Sequence, residues 1–363
     1  MPRHARPGEG LHTYEMQVRK ALEFDRNLHS YLGSVTAEVG GSSDSTVLAD
    51  HALVFMLRGI TTNWKQVVAY FFTGASVNGS RLWQLAKQII YVVSNAGVVV
   101  RAVVSDMGSS NQAMWRAAGI CANRNSVACS IQHPVYDAMR LYFLADIPHI
   151  LKNVRNCMLT QDIVLPPDVL QTHSLLSPRV KMQHVAAVVE LQQDCELKIA
   201  PALSTKHVQP GQYQKMRVST AAQVLSHSTA SALRYLVSTE QLPQDALTTA
   251  WFVDFVNAWF DIVNGRCFDD SLRPAKCDKI QVLHKMLAVA RNLTFSGKHG
   301  GWKPIQTRLL LSTHSILLGL YNDLVICGSY KYLLAGRLTQ GSRRFVLVAT
   351  RTHHQLASAN ASS

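Results

Sequence analysis

The stretch Val98–Asp106, VVVRAVVSD, constrains this chain most. An apolar, β-branched run (Val99, Val100, Val103, Val104) stops at Asp106, and Gly108, two serines and Asn111 lead into a helix-like segment. Such a run reads as a buried strand. A carboxylate at its exit, with a small-residue turn behind it, either holds a divalent metal or caps the next helix.

The flanking pattern supplies the rest of a sheet. Residues 11–18, 29–39, 51–60 and 65–74 read as strands, and three or four strands in series suggest an antiparallel meander. A helix over 80–95, the Asp106 strand, a helix over 110–119 and the strand RLYFLAD ending at Asp146 follow. Meander, helix, strand, helix, strand is the order of an α/β sheet of the ribonuclease H type. From about 150 to 335 the texture is helical. Apolar residues recur at three- and four-residue spacing in 147–159, 179–194, 219–239, 247–264 and 278–295.

Composition narrows the partners. The chain carries 36 Lys+Arg against 23 Asp+Glu, a net charge of +13, which favours a polyanion, nucleic acid first among them. No segment reaches the roughly 18–20 uncharged apolar residues of a membrane helix, and MPRHARPGEG lacks the apolar core of a signal peptide. The seven cysteines form no CxxC pair, which suggests reduced thiols buried as small hydrophobes and gives no support to a zinc site. GxxxxGK[ST] is absent, so an ordinary P-loop is excluded. KHGGWK (298–303) suits either nucleic-acid contact or a turn between helices.

Six ordered blocks then carry a resemblance: 52–73, VVSDMGSSNQ, DIPHILKNVRN (146–156), 206–233, WFDIVNGR (259–266) and YLLAGRLTQ (332–340). Together they resemble the P-element-type transposases, which include the THAP-domain transposases of animals, from about residue 11 to about 340. The resemblance implies α/β plus all-α architecture: a ribonuclease H-like mixed sheet interrupted by a largely helical GTP-binding insertion domain. The expected boundaries are 11–150 for the core, 151–335 for the insertion, and 336–363 for a degenerate return to the core with a disordered tail. No segment matches the family's zinc-coordinating THAP domain or its coiled coil.

Cores of this kind hold Mg²⁺ with three acids for in-line phosphoryl transfer. Asp106 matches the second acid. Tyr14 stands where the first belongs, and neighbouring Glu15 points to the opposite face of a strand. The third acidic segment reads LTQGSRRF, placing Gly341 and Arg344 at its Asp and Glu. A cation at a ligand position repels Mg²⁺. Asp106 is thus expected to mark a metal site whose partners have gone.

For GTP, the resemblance implies contacts from Asp146 and Lys152, from Arg217, Val218 and Ser226, and from Phe260, Asp261 and Asn264. Arg217 stands where Lys is implied, keeping the charge with altered geometry. Asp261 would accept from guanine N1–H and the 2-amino group, with Phe260 stacking on the ring. Gly341 replaces an Asp that would add one contact. Read without the resemblance, Phe260 is helix core, Asp261 a solvated residue and Asn264 a helix cap.

The expectation is an inactive P-element-like transposase fragment, a pseudoenzyme in the nucleus that binds GTP, binds DNA weakly without sequence preference, and self-associates as a homo-oligomer. Resemblance stops abruptly at Gln340, as a frameshift or misplaced exon boundary would produce, and the start at Met1 suggests truncation. An active Mg²⁺-dependent enzyme behind a faulty reading is therefore one alternative. A domesticated DNA- or protein-interaction module is another.

Overall fold

A computed structural model describes residues 8–26, 29–36, 47–74, 77–297 and 301–340. Strand β1 (Gly8–Gln17) runs antiparallel to β2 (His51–Gly59), which pairs with β3 (Lys65–Thr73). Helix α1 (Gly79–Asn95) crosses to β4 (Val99–Ser105), parallel to β1 on its other side. Helix α2 (Ser109–Ala117) follows, then β5 (Ser130–Gln132) and β6 (Arg140–Ala145), the last parallel to β4. The sheet order is β3-β2-β1-β4-β6-β5.

The expected strand over 29–39 is corrected. Among the described residues it holds only the short strand Ser30–Leu32, in a separate ribbon with Glu23–Asp25, and an isolated bridge from Ser34 to Leu48. Both edges of β1 are already occupied by β2 and β4, so the sheet has no place for it there. The meander has three strands.

Alternation along β6 fixes the layers. Phe143 packs edge-on against Trp83 of α1 and Trp115 of α2. Tyr142, on the opposite face, covers Gly319 so closely that a side chain there would collide with its ring. Gly319 belongs to the helix that begins as α10, Pro304–His314, and continues with π-type bonding over Ser315–Ile326. This helix lies within the stretch expected for the insertion, yet it seals the sheet. β5 pairs β6 only as far as Tyr142. Beyond it, the Ser312 hydroxyl accepts from Ala145 N (3.0 Å) and the Ser315 hydroxyl donates to Phe143 O (2.7 Å), closing an otherwise open strand edge. By length and hydropathy Pro304–Ile326 is apolar enough to cross a membrane, which the sequence reading had excluded; 72% of its apolar window is buried inside the fold.

Between β6 and α10 lie helices α3 (Ile147–Thr160), α4 (Met182–Leu191), α5 (Gln212–Met216), α6 (Val218–Val224), α7 (His227–Ser238), α8 (Ala246–Val263) and α9 (Cys277–Asn292). The expected single helix over 219–239 breaks at Leu225, because the Ser226 hydroxyl caps α7 by accepting from Thr229 N (3.2 Å). A short three-stranded sheet (Ile163–Val164, Arg179–Val180, Thr294–Phe295) ties the ends of this helical part together. All seven cysteines are free, but only Cys129 is buried and five are exposed, contrary to the buried role expected of them.

Candidate functional site

Strands β4 and β6 end level with Thr13 of β1, which itself runs on to Gln17. Thr13 of β1 and Ala145 of β6 both lie beside Ser105 of β4. Tyr14, Asp106 and Asp146, each the next residue, therefore form a row across the sheet's carboxyl end. Glu15 is exposed on the face opposite Tyr14, so it cannot stand in for the missing first acid.

Asp106 serves the turn. Its Oδ1 accepts from Gly108 N and from Asn111 Nδ2, each at 2.8 Å. These bonds shape the turn ahead of α2, whose N-cap is Gly108 and which has no side-chain cap bond. Lys152, one and a half turns into α3, faces Asp106 and Asp146: burial lowers its pKa, and both carboxylates oppose that shift. Burial first, then Asp146, raises the Tyr14 phenol, which stays protonated. Among the described residues no three His, Cys, Asp or Glu side chains gather as a metal site. Among the described residues the row offers one phenol and two carboxylates already engaged in hydrogen bonds, a set that does not fit Mg²⁺. Gly341 and Arg344 lie outside the described residues.

Asp146 is 2% exposed, and both of its oxygens are used internally. Oδ2 meets His149 Nδ1 at 2.6 Å, and Oδ1 accepts from Gln340 N at 2.7 Å. Gln340 also donates through Nε2 to Thr13 O (2.6 Å), and its own carbonyl accepts from the Tyr14 hydroxyl (3.4 Å). The carboxylate expected to touch nucleotide thus latches the returning chain to the sheet. Beneath it lies His12, fully buried with both ring nitrogens unpartnered; burial, with Arg58 adding, pushes its pKa down to about 3 and keeps it neutral.

The remaining expected nucleotide residues fall on two helix junctions. Arg217 begins α6, its guanidinium 5.5 Å from the Tyr213 ring centroid, with Val218 the first helical residue. That junction is docked on α3 by buried Arg155, which donates to Gln214 O and Lys215 O (both 3.1 Å). Ser226 spends its hydroxyl on the α7 cap. The second junction is the end of α8. Half-buried Phe260 packs on the core, and Asp261 Oδ2 accepts from Asn257 (2.8 Å). Desolvation, with Asp270 adding, holds the Asp261 carboxyl above its ordinary range. Asn264 caps the helix and leaves a buried Oδ1 without a donor. The α8 junction meets the returning chain where Gly336 N donates to Gly265 O (3.0 Å), close enough that a Cβ on Gly336 would strike the Asn264 and Gly265 carbonyls. A groove of about 600 Å³ lined by Met158, Gln161, Met182 and Gln209 contains none of the expected nucleotide residues.

Sequence reasoning missed a set of cations here. Arg58 of β2 donates to Thr339 O (2.6 Å), Arg337 donates to Ile60 O (3.2 Å), and Arg266 follows the α8 junction. Arg337 was in a block already singled out, but only the fold sets it beside Arg58. In KHGGWK, residues 298–300 lie outside the described residues; the Trp302 indole donates to Thr307 (2.8 Å), as a helix-entry turn requires.

This fold, a ribonuclease H-like mixed sheet with a helical insertion after its last parallel strand, defines a ribonuclease H-like core split by an inserted domain. The family model for the TNP-like RNase H N-terminal domain matches residues 10–119, and that for the TNP-like GTP-binding insertion domain matches residues 148–272. The chain belongs to the P-element-type transposase family. It is 28% identical to the human DNA transposase THAP9 over 288 residues, which is 75% of this chain and 30% of that protein. It is 26% identical to the Drosophila melanogaster transposable element P transposase over 333 residues, 90% of this chain and 40% of that protein. The chain therefore spans less than half the length of both relatives. The solved Drosophila P element transposase strand transfer complex shares the fold, with a TM-score of 0.72 at 23% identity over 92% of this chain and 69% of that one.

Proposed function

We propose that this chain is a transposase core that keeps guanine-nucleotide binding and DNA contact but has lost phosphoryl-transfer chemistry. The observation that carries the loss is the row Tyr14–Asp106–Asp146. One position is a neutral phenol, one carboxylate is engaged by its own turn, and the other latches Gln340. Two-metal transfer needs several free carboxylates on one pair of ions, and the row does not offer them. DNA contact would place the protein in the nucleus.

Support for the nucleotide comes from the matched insertion-domain model and from the α8 junction. There Asn264 Oδ1 lacks a donor, a buried acceptor that a ligand's N–H or O–H would satisfy. Asp261 would read the guanine edge and Phe260 would stack, with Arg217 and Lys152 as phosphate cations. Asp146 and Ser226 drop out of this set, since both Asp146 oxygens and the Ser226 hydroxyl are bonded, whereas the Asn257 bond takes only Oδ2 of Asp261.

Titration of the full chain with GTP and ATP tests the nucleotide reading. GTP should bind more tightly, and Asp261→Ala should weaken GTP more than ATP, because only guanine offers paired donors. Equal affinity for the two nucleotides refutes it. Strand cleavage or joining of transposon-end DNA in Mg²⁺ or Mn²⁺, abolished by Asp106→Ala, refutes the loss of chemistry.

A further inference from the structure

Arg58, Arg266 and Arg337 come from three distant segments and converge around Arg58, which also neighbours Tyr14. Arg58 and Arg337 are aimed by the two chain crossings that build the site, Arg58 to Thr339 O and Arg337 to Ile60 O. The contact of Gly336 with Gly265 sets Arg337 next to Arg266. Burial first, then Arg266, lowers the Arg58 pKa; Arg337 adds to the effect and Tyr14 opposes it. The arginine ion pairs among the described residues belong to Arg101, Arg179, Arg234 and Arg273, not to these three. Asp146, the nearby carboxylate, is bonded to His149 and Gln340. Arg58 and Arg337 each donate to a carbonyl and Arg266 is exposed to solvent, so three like charges without a carboxylate ion pair among the described residues meet where the returning chain crosses β2 and the end of α8.

We propose that Arg58, Arg266 and Arg337 hold a DNA backbone phosphate directly, where the returning chain crosses β2 and the end of α8, so that DNA engages this core without a metal ion. Guanidinium groups meet phosphate through paired N–H donors, and their fixed charge supplies the neutralisation that divalent ions provide where acids line such a sheet. The proposal rests on the DNA reading above and adds its location and its independence of metal. Position favours a strand over the nucleotide: Arg58 and Arg337 belong to the sheet and the returning chain, not to the helical insertion.

The test uses the full chain and a short fluorescein-labelled duplex, with anisotropy read across a salt series in EDTA and in Mg²⁺. Arg266→Gln is the cleanest variant, because Arg266 is exposed and caps no carbonyl among the bonds described. It should weaken DNA binding on the order of threefold to tenfold and reduce the salt slope by about 0.9, one phosphate contact. Arg266→Lys should restore most of the slope, and wild-type affinity should match in EDTA and Mg²⁺. Arg58→Gln and Arg337→Gln, compared at equal thermal stability, should act in the same direction. An unchanged slope in Arg266→Gln, an affinity lost in EDTA, or full displacement of the duplex by free GTP overturns the proposal while leaving DNA binding intact. Absence of wild-type binding at low salt overturns both this proposal and the DNA reading beneath it.

Discussion

Replacing Asp146 by Ala tests how the site is built. The carboxylate is buried, its Oδ1 accepts from Gln340 N at 2.7 Å and its Oδ2 pairs with His149 at 2.6 Å. A hydrogen bond to a charged group contributes about 1.5–3 kcal/mol, and its loss leaves the Gln340 amide without an acceptor. Gln340 keeps its bonds to Thr13 and Tyr14, so the segment loosens without detaching. Exchange of the Gln340 amide should then speed up roughly 10- to 150-fold, at about 1.4 kcal/mol per tenfold. Asp146→Asn keeps an oxygen for that amide and should change exchange by less than about tenfold. Hydrogen exchange resolved at residues 335–340, with strand β2 as internal control, is the assay. If Asp146 is a latch and not a nucleotide ligand, Asp146→Asn also keeps its GTP affinity. Unaltered Gln340 exchange in Asp146→Ala, or GTP affinity abolished in a well-latched Asp146→Asn, would refute the reasoning.

Three further outcomes follow from the fold. Ser312→Ala strips the acceptor from Ala145 N at the covered edge of β6 and should cost about 1–3 kcal/mol in chemical denaturation; no change would mean the hydroxyl does not complete the edge. Gly336→Ala drives a methyl into the Asn264 and Gly265 carbonyls and should cost about 1–3 kcal/mol while weakening DNA and GTP binding together, since it parts the two junctions. Glu9, bonded to Val99 N at 3.2 Å, is pushed up to about 7 by burial. Its folded pKa exceeds the unfolded one, so its contribution, at most about 3 kcal/mol, is complete at low pH and disappears as pH rises through about 7. Glu9→Gln should flatten stability between about pH 5 and pH 8, and an identical slope in the variant would reject this assignment.

Local pattern determined much of this protein. The valine run before Asp106, the meander strands at 51–60 and 65–74, and the helices at 80–95 and 247–264 were all legible, because burial imposes a period of 2 or 3.6 on the residues themselves. That Glu15 faces away from Tyr14 was equally visible, since strand alternation alone fixes it. Resemblance located the nucleotide segments but not what their side chains do. Asp146 and Ser226 read as ligands in sequence; the fold also gives them a latch and a cap, through neighbours that only folding supplies. The helix over Pro304–Ile326 looks like one more apolar element, and its serines gain meaning only against the open edge of β6. Arg58, Arg266 and Arg337 are separated by 71 residues or more along the chain. Coulomb repulsion depends on distance in space, so no local pattern records their encounter; the crossing of the returning chain over β2 and the end of α8 creates it.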